Sequence, residues 1–391
     1  MVVDACLGGV RRTVPGGATL DLNFMSAPLD PRITFTRAST ATYTDASGVI
    51  QTAATNAPRW DYAGGVLRGL LIEEARTNNV HFSGDASNAS WTASSTTTLP
   101  VRVANAITAP DGTLTAASIA FPAVSGAGQA CVITPIQLSG TVAPYVYSVW
   151  LRGTVGGERV YLNTTLDAVL YYRTQAVLTT AWQRFILITP NLTAVTWYFQ
   201  LGADLRDAGQ TATSAQTVYV WGAQVEQGAS VSSYIPTAAV AVTRSADLAS
   251  MSFTPAASGT YQAEFIPAGA AAALPVIISG NAGSPVMVIG ADSRLVASIR
   301  SGASVFSAIA PSMTFNVVNK AAFGWLTGAS KAAVNGTLLG ANAVALTVTG
   351  TSIEFGSDGV TPGNNALNGW LRGVRYWPRQ LSDVELQAVT T

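Results

Sequence analysis

Short stretches rich in aromatic and β-branched residues recur along the chain, and Gly, Pro, Asn or Asp closes each of them. That pattern predicts strands joined by tight turns. "ITFTRAST" reads as a strand. "ATYTDASGVIQTA" reads as a hairpin, with polar alternation on either side of a D-A-S-G turn, and "RWDYAGGVLRGLLIEEA" repeats the idea around Gly64 and Gly65. From residue 79 the strands grow longer: "YVYSVWLRG", "RVYLNTTL", "WQRFILITP", "TWYFQLGAD" and "TVYVWGAQVEQG". From 246 the pattern restarts with "GTYQAEFIP", "PVIISG", "SPVMVIGA", "RLVASIRSG", "KAAFGWLTG", "KAAVNGTLLG" and "TSIEFGSDG", where "VNG" marks another tight hairpin. A helical pattern is almost absent until the end. There Trp370 to Trp377 reads as a last strand, which Pro378 stops because proline cannot donate to a ladder. Ser382 with Glu385 three residues on forms a capping box, so a short helix is expected to lay Leu381, Val384 and Leu386 on the sheet.

These elements predict an all-β protein: an N-terminal β-hairpin module over 1–78, a β-sandwich over 79–245, a second sandwich of jelly-roll type over 246–391, and a short C-terminal helix. The hairpins of 1–78 carry too little continuous apolar pattern for a core of their own and are expected to pack on the next domain or on another chain. The segment 233–249, with its proline and small residues, is the expected junction. No solenoid repeat is present.

Composition sharpens this picture. Of 391 residues only 11% are charged, the net charge is zero, and Lys320 and Lys331 are the only lysines. A nucleic-acid surface needs clustered basic residues, and so does a polybasic membrane patch; neither is visible. The most apolar run, Ala268 to Ile278, is short and broken by Pro275, so no membrane insertion is expected. Met1 to Arg12 shows no signal-peptide pattern. Cys6 and Cys131 lie far apart in unlike contexts and read as two free thiols rather than a disulfide framework.

Candidate chemistry is sparse. His81 is the only histidine and stands near no nucleophile-elbow pattern, so a catalytic triad is not expected, and zinc lacks ligands. Glu73 and Glu74 are adjacent, and in a strand neighbouring side chains face opposite ways, which makes them a poor pair for glycoside cleavage. Asp204, Asp207 and Asp358 remain acids that folding could bring together. Sugar binding asks for less: an exposed aromatic ring and nearby polar groups. Trp91 and Trp182, both near turns, are the chosen glycan platforms. The polar loop "FGSDGVTPGNNALNG" offers Asp358, Asn364 and Asn365 as oxygen ligands for calcium, although its spacing matches no fixed calcium loop. No other cofactor is expected.

Three stretches carry a family resemblance. "FTRASTATYTDASGVIQTAATNAPRWDY" with "GLLIEEARTNNV" resembles the N-terminal module of bacteriophage structural proteins of the head-spike or tail-fibre kind. "WTASSTTTLPVRVANAITAPDGTLTAASI" with "VYVWGAQVEQGASVSSYIPTAAVAVTRSAD" resembles the carbohydrate-binding-module-like sandwich that follows it. "FGWLTGASKAAVNGTLLG" with "ALNGWLRGVRYWPRQLSDVELQAV" resembles the end of a laminin-G-like, concanavalin A-type jelly roll. The resemblance implies a non-enzymatic protein of the virion surface, assembled in the host bacterial cytoplasm. Residues 1–78 would hold it to other virion proteins, and its sandwiches would bind host surface polysaccharide, in a homotrimer. A capsule depolymerase and a purely architectural decoration or adaptor protein are the alternatives.

Overall fold

The aromatic and β-branched runs form strands, and among the described residues these pair antiparallel and the protein is all-β apart from one short helix. The computed structural model describes residues 15–139, 142–166, 170–193, 195–268, 275–290, 293–299, 304–306, 312–358 and 365–391.

The middle of the chain makes a sandwich of two five-stranded sheets. One runs Gln183–Ile188, Tyr145–Gly153, Gln216–Gln227, Ala116–Phe121, Val101–Ile107; the other runs Leu170–Val177, Arg159–Leu166, Thr196–Asp204, Ala130–Ser139, Thr92–Ser95. Alternate residues of both, among them Tyr147, Val149, Leu162, Phe199, Leu201 and Val218, interleave in one buried core.

The second sandwich is built from both ends of the chain. Its larger sheet runs Thr337–Asn342, Ser330–Val334, Asn319–Trp325, Gly259–Pro267, Gly369–Trp377, Val66–Ile72, Trp60–Ala63, and Leu20–Asn23 lies beside the same Gly369–Trp377 strand. The facing sheet begins with Thr34–Thr36, paired to Leu248–Ser252. Leu20, Leu22, Phe24, Leu70 and Ile72 therefore share one core with Ile277, Met287, Phe323, Trp325 and Leu371. At ~1.5–3 kcal/mol for each such side chain buried, this is a principal attachment of the N-terminal residues.

This corrects the expected order of domains. Residues 15–72 are not a separate module, because four of their six strands complete both sheets of the C-terminal sandwich, while Ala41–Thr44 and Ile50–Ala53 pair as a hairpin of their own. The middle sandwich is an insertion into that domain. Its incoming strand, Arg76–Asn78, and its outgoing strand, Val242–Arg244, pair with each other as a two-stranded ribbon. Such insertion is geometrically easy where a domain's two ends lie side by side.

Turn chemistry follows the sequence closely. Gly64 and Gly65, at φ 57° and 77°, join Trp60–Ala63 to Val66–Ile72, and Asn335 with Gly336, at φ 47° and 80°, joins Ser330–Val334 to Thr337–Asn342. Two successive positive φ values are what a two-residue hairpin turn of the primed type requires. The helix spans Asp383–Thr390, with Ser382 as N-cap and Glu385 completing the capping box. Leu381, Leu386 and Val389 are buried against Ala322, Ala333 and Trp377. Val384 is not part of that seal; it is 76% exposed. At about 100° per residue, position 384 lies some 200° from 386, on the opposite side of the helix.

Candidate functional site: the joint between the sandwiches

Where the two sandwiches meet, the segments quoted for the family resemblance converge on a buried ion cluster. Arg37 comes from the strand Thr34–Thr36 and the turn after it. Arg59 precedes Trp60–Ala63, Glu73 follows Val66–Ile72, and Arg244 and Asp247 come from the returning segment. Arg37 donates from Nη1 to Asp247 Oδ1 at 2.9 Å, and Arg59 pairs with both Asp247 and Glu73, the latter at 2.8 Å. The Arg244 guanidinium stands 3.4 Å from Glu73. The backbone N–H of Glu73 donates to Asp247 Oδ2 at 2.9 Å, and the N–H of Asp247 to the Glu73 carbonyl at 2.9 Å. Ser233 gives Glu73 two further bonds of 2.7 Å, from its N–H and its hydroxyl. Burial alone would push the Glu73 carboxyl up, but the Arg244 and Arg59 guanidiniums and the Ser233 donors outweigh it and hold it at about 2.

Beside this cluster opens a half-enclosed pocket of about 170 Å³. Asp61, from the Trp60–Ala63 strand, and Trp370, from Gly369–Trp377, form one wall; Trp150, Arg184 and Tyr234 of the middle sandwich form another; Tyr43, Asn316 and Asn368 border it. Asp61 accepts from the Thr44 N–H at 2.7 Å and from the Trp370 indole N–H at 2.9 Å. Burial raises its carboxyl above the ordinary range, against the pull of those two donors. Trp150 packs edge-on against Trp221 and Tyr234, at 5.6 and 5.5 Å between ring centres, which fixes its orientation. Arg68 covers Trp370 at 4.4 Å, and Arg184 covers Trp150 at 4.3 Å. Indole edges, a carboxylate and two asparagine side chains around a ring-sized space are the elements of a sugar site.

Of the residues singled out from the sequence, Glu73 lines the pocket and Trp182 stands behind it; the others fall elsewhere. Trp91 is 0% exposed and donates its indole N–H to the His81 carbonyl at 2.9 Å; as a core residue it has no face to offer, which corrects its assignment as a glycan platform. Trp182 is half-buried, donates to the Thr108 carbonyl at 3.0 Å, and belongs to the aromatic group that backs the pocket through Trp150, Trp221 and Tyr234. Asn365 donates to Asp358 at 3.5 Å, while Asn364 lies outside the described residues, as does Cys6. Among the described residues no three His, Cys, Asp or Glu side chains gather as a metal site. Cys131 is free and buried, and burial pushes its thiol up. Glu73 and Glu74 part as neighbours in an extended chain do: Glu73 enters the ion cluster and Glu74 pairs with Arg76. Asp204 pairs with Arg206 at 2.6 Å and Asp207 with Arg173 at 2.8 Å.

The sequence reading missed Arg59, Asp61, Trp150 and Arg184. One signal was present. In a chain only 11% charged, Arg37, Arg59, Asp61, Glu73, Arg244 and Asp247 all fall in two turn-rich stretches that flank the middle sandwich.

No protein-family model matches the chain, and no curated protein sequence matches it. Among solved structures it is similar to domain 4 of an extracellular arabinanase from Geobacillus stearothermophilus in complex with arabinotriose, at TM-score 0.33 and 10% identity over 42% of this chain and 77% of that one. It is also similar to the N-terminal CBM22 tandem of Xyn10C from Paenibacillus barcinonensis, at TM-score 0.27 and 8% identity over 76% and 94%. A third likeness is to a pentraxin from Limulus polyphemus, at TM-score 0.29 and 12% identity over 36% and 72%. At these scores no ligand or activity passes from those proteins to this chain, and its β-sandwich architecture rests on the strand pairing described above.

Proposed function

We propose that the protein is a structural component of a bacteriophage virion, of the head-spike or tail-fibre kind, and that it binds host surface polysaccharide at the joint pocket without cleaving it. The observation that carries the binding role is the pocket: Trp150, Trp370, Asp61 and Asn368 surround a space of about 170 Å³ at the surface of an otherwise charge-poor β-protein. The virion role is supported by the family resemblance, whose quoted stretches contain the residues of the ion cluster. In this reading the chain is a homotrimer on the virion surface, attached to other virion proteins. Each site is weak, and many copies supply avidity without new contacts.

A second reading, capsule depolymerase, draws on one observation: the pocket holds two carboxyls pushed in opposite directions, Asp61 up and Glu73 down. Against it, both Glu73 oxygens already accept from Ser233, and one also faces two arginines.

The test uses polysaccharide purified from the host strain, immobilised on a biosensor. Wild-type protein is expected to bind and Asp61→Ala to lose most of that binding at an unchanged β-sheet circular dichroism spectrum. Absence of wild-type binding would leave the architectural reading. Shortening of the polymer on incubation, seen by size-exclusion chromatography, would establish the depolymerase instead.

A further inference from the structure

We propose that the joint pocket receives a sugar residue bearing a carboxylate, of the uronic-acid type, with Arg184 taking the acid group and Asp61 the hydroxyls. The inference rests on the glycan-binding reading above and narrows it to one substrate class.

Arg184 differs from the arginines of the ion cluster and from Arg76; Arg68, over Trp370, donates to the Asn316 carbonyl and does not line the pocket. Arg37, Arg59, Arg76 and Arg244 each stand within ion-pairing distance of a carboxylate. Arg184 has no such partner among the described residues. Its Nη1 donates to the Ser232 carbonyl at 2.8 Å and its Nη2 to the Ser148 hydroxyl at 2.9 Å, both neutral acceptors. A guanidinium carries five N–H donors, so three remain, and the one on Nε is buried without a partner. Glu226, on the same sandwich, acts on it only through its field and spends its oxygens elsewhere: it accepts from Gln224, the Ser232 N–H and the Ser232 hydroxyl.

A half-buried cation without a carboxylate partner is costly. Burial draws Arg184 down to about 10, in spite of the fields of Glu226 and Glu73. An arriving carboxylate relieves that cost, because the planar guanidinium matches its two oxygens with charge-assisted bonds. A neutral sugar leaves the cost in place, and an ammonium-bearing one adds repulsion.

The opposite pole is Asp61. Two donors, the Thr44 N–H and the Trp370 indole, engage it, which leaves acceptor positions on both oxygens for ligand hydroxyls. A ligand with one acid group and several hydroxyls meets both poles. At about 170 Å³ the pocket limits the ligand to a single sugar residue at a time.

The experiment measures saturation-transfer NMR affinities of the full chain for methyl β-glucuronoside and methyl β-glucoside. Three proteins are compared: wild type, Arg184→Gln, and Val231→Phe, which fills the pocket from its rim without removing a hydrogen-bonding side chain. The expected result is binding of the glucuronoside at least about tenfold tighter than the glucoside, with the preference lost in Arg184→Gln and all binding lost in Val231→Phe at an unchanged melting temperature. Equal wild-type affinity for the two sugars overturns the acid preference and leaves the glycan-binding reading standing. Failure of both sugars to bind, or binding that survives Val231→Phe, overturns both.

Discussion

The C-terminal sandwich carries two closures of opposite chemistry. On the outer face of the larger sheet, away from the core between the sheets, the helix Asp383–Thr390 covers Ala322 and Ala333 with Leu381, Leu386 and Val389. Toward the Trp60–Ala63 side, closure is ionic: Arg37, Arg59 and Arg244 against Glu73 and Asp247, all removed from water. The apolar seal is a sum of nearly independent burials, so it loses stability in instalments. The ion cluster is shared. Asp247 serves Arg37, Arg59 and the Glu73 backbone at once, and one deletion leaves several buried groups without a partner. Apolar contact closes a domain; directional bonds between five side chains of one domain also hold Ser233, at the edge of the other, through Arg59 and Glu73.

The comparison breaks first at Asp247. Replacing it with alanine takes the carboxylate from Arg37 and leaves Arg59 with Glu73 alone, and removing one side of a buried pair costs about 3–5 kcal/mol. Thermal melting should show the largest loss here; a change below about 1 kcal/mol would mean the cluster is not what holds the joint. Leu386→Ala under the helix should cost about 2–5 kcal/mol, with the lower part of that range expected because the short helix can settle onto the gap.

Acid separates the two closures. Glu73 is held at about 2 against an ordinary 4.5, so its folded-state value is depressed. Its stabilisation is therefore fully present above about pH 4.5 and is lost as the pH falls toward 2. The melting temperature should fall over that window, and fall less in Glu73→Gln, which has no carboxylate there to protonate. Parallel acid profiles for the two proteins would remove Glu73 as the acid-sensitive group.

The smallest effects sharpen the picture of the helix. Ser382→Ala should cost about 1 kcal/mol through the lost cap. Val384→Ala, on the exposed side, should stay within about 0.5 kcal/mol. A loss at Val384 equal to that at Leu386 would mean that the helix packs the other way round.

The sequence by itself determined the local structure. Aromatic and β-branched runs specify strands, Gly64-Gly65 and Asn335-Gly336 specify hairpin turns, and Ser382 with Glu385 specifies the helix start, because each is an interaction between residues a few positions apart. The restart of the pattern near 246 was equally legible. Only the tertiary structure decided that Leu20–Asn23 and Val66–Ile72 run along Gly369–Trp377, which makes the middle sandwich an insertion, since nothing local in a strand records which distant edge it will meet. The same holds for the site. Asp61 and Trp370 are 309 positions apart along the chain, and Arg184 reaches their pocket from another domain. Trp91 was misjudged because proximity to a turn does not tell whether an indole faces water or core; that is settled when the sheets close over it.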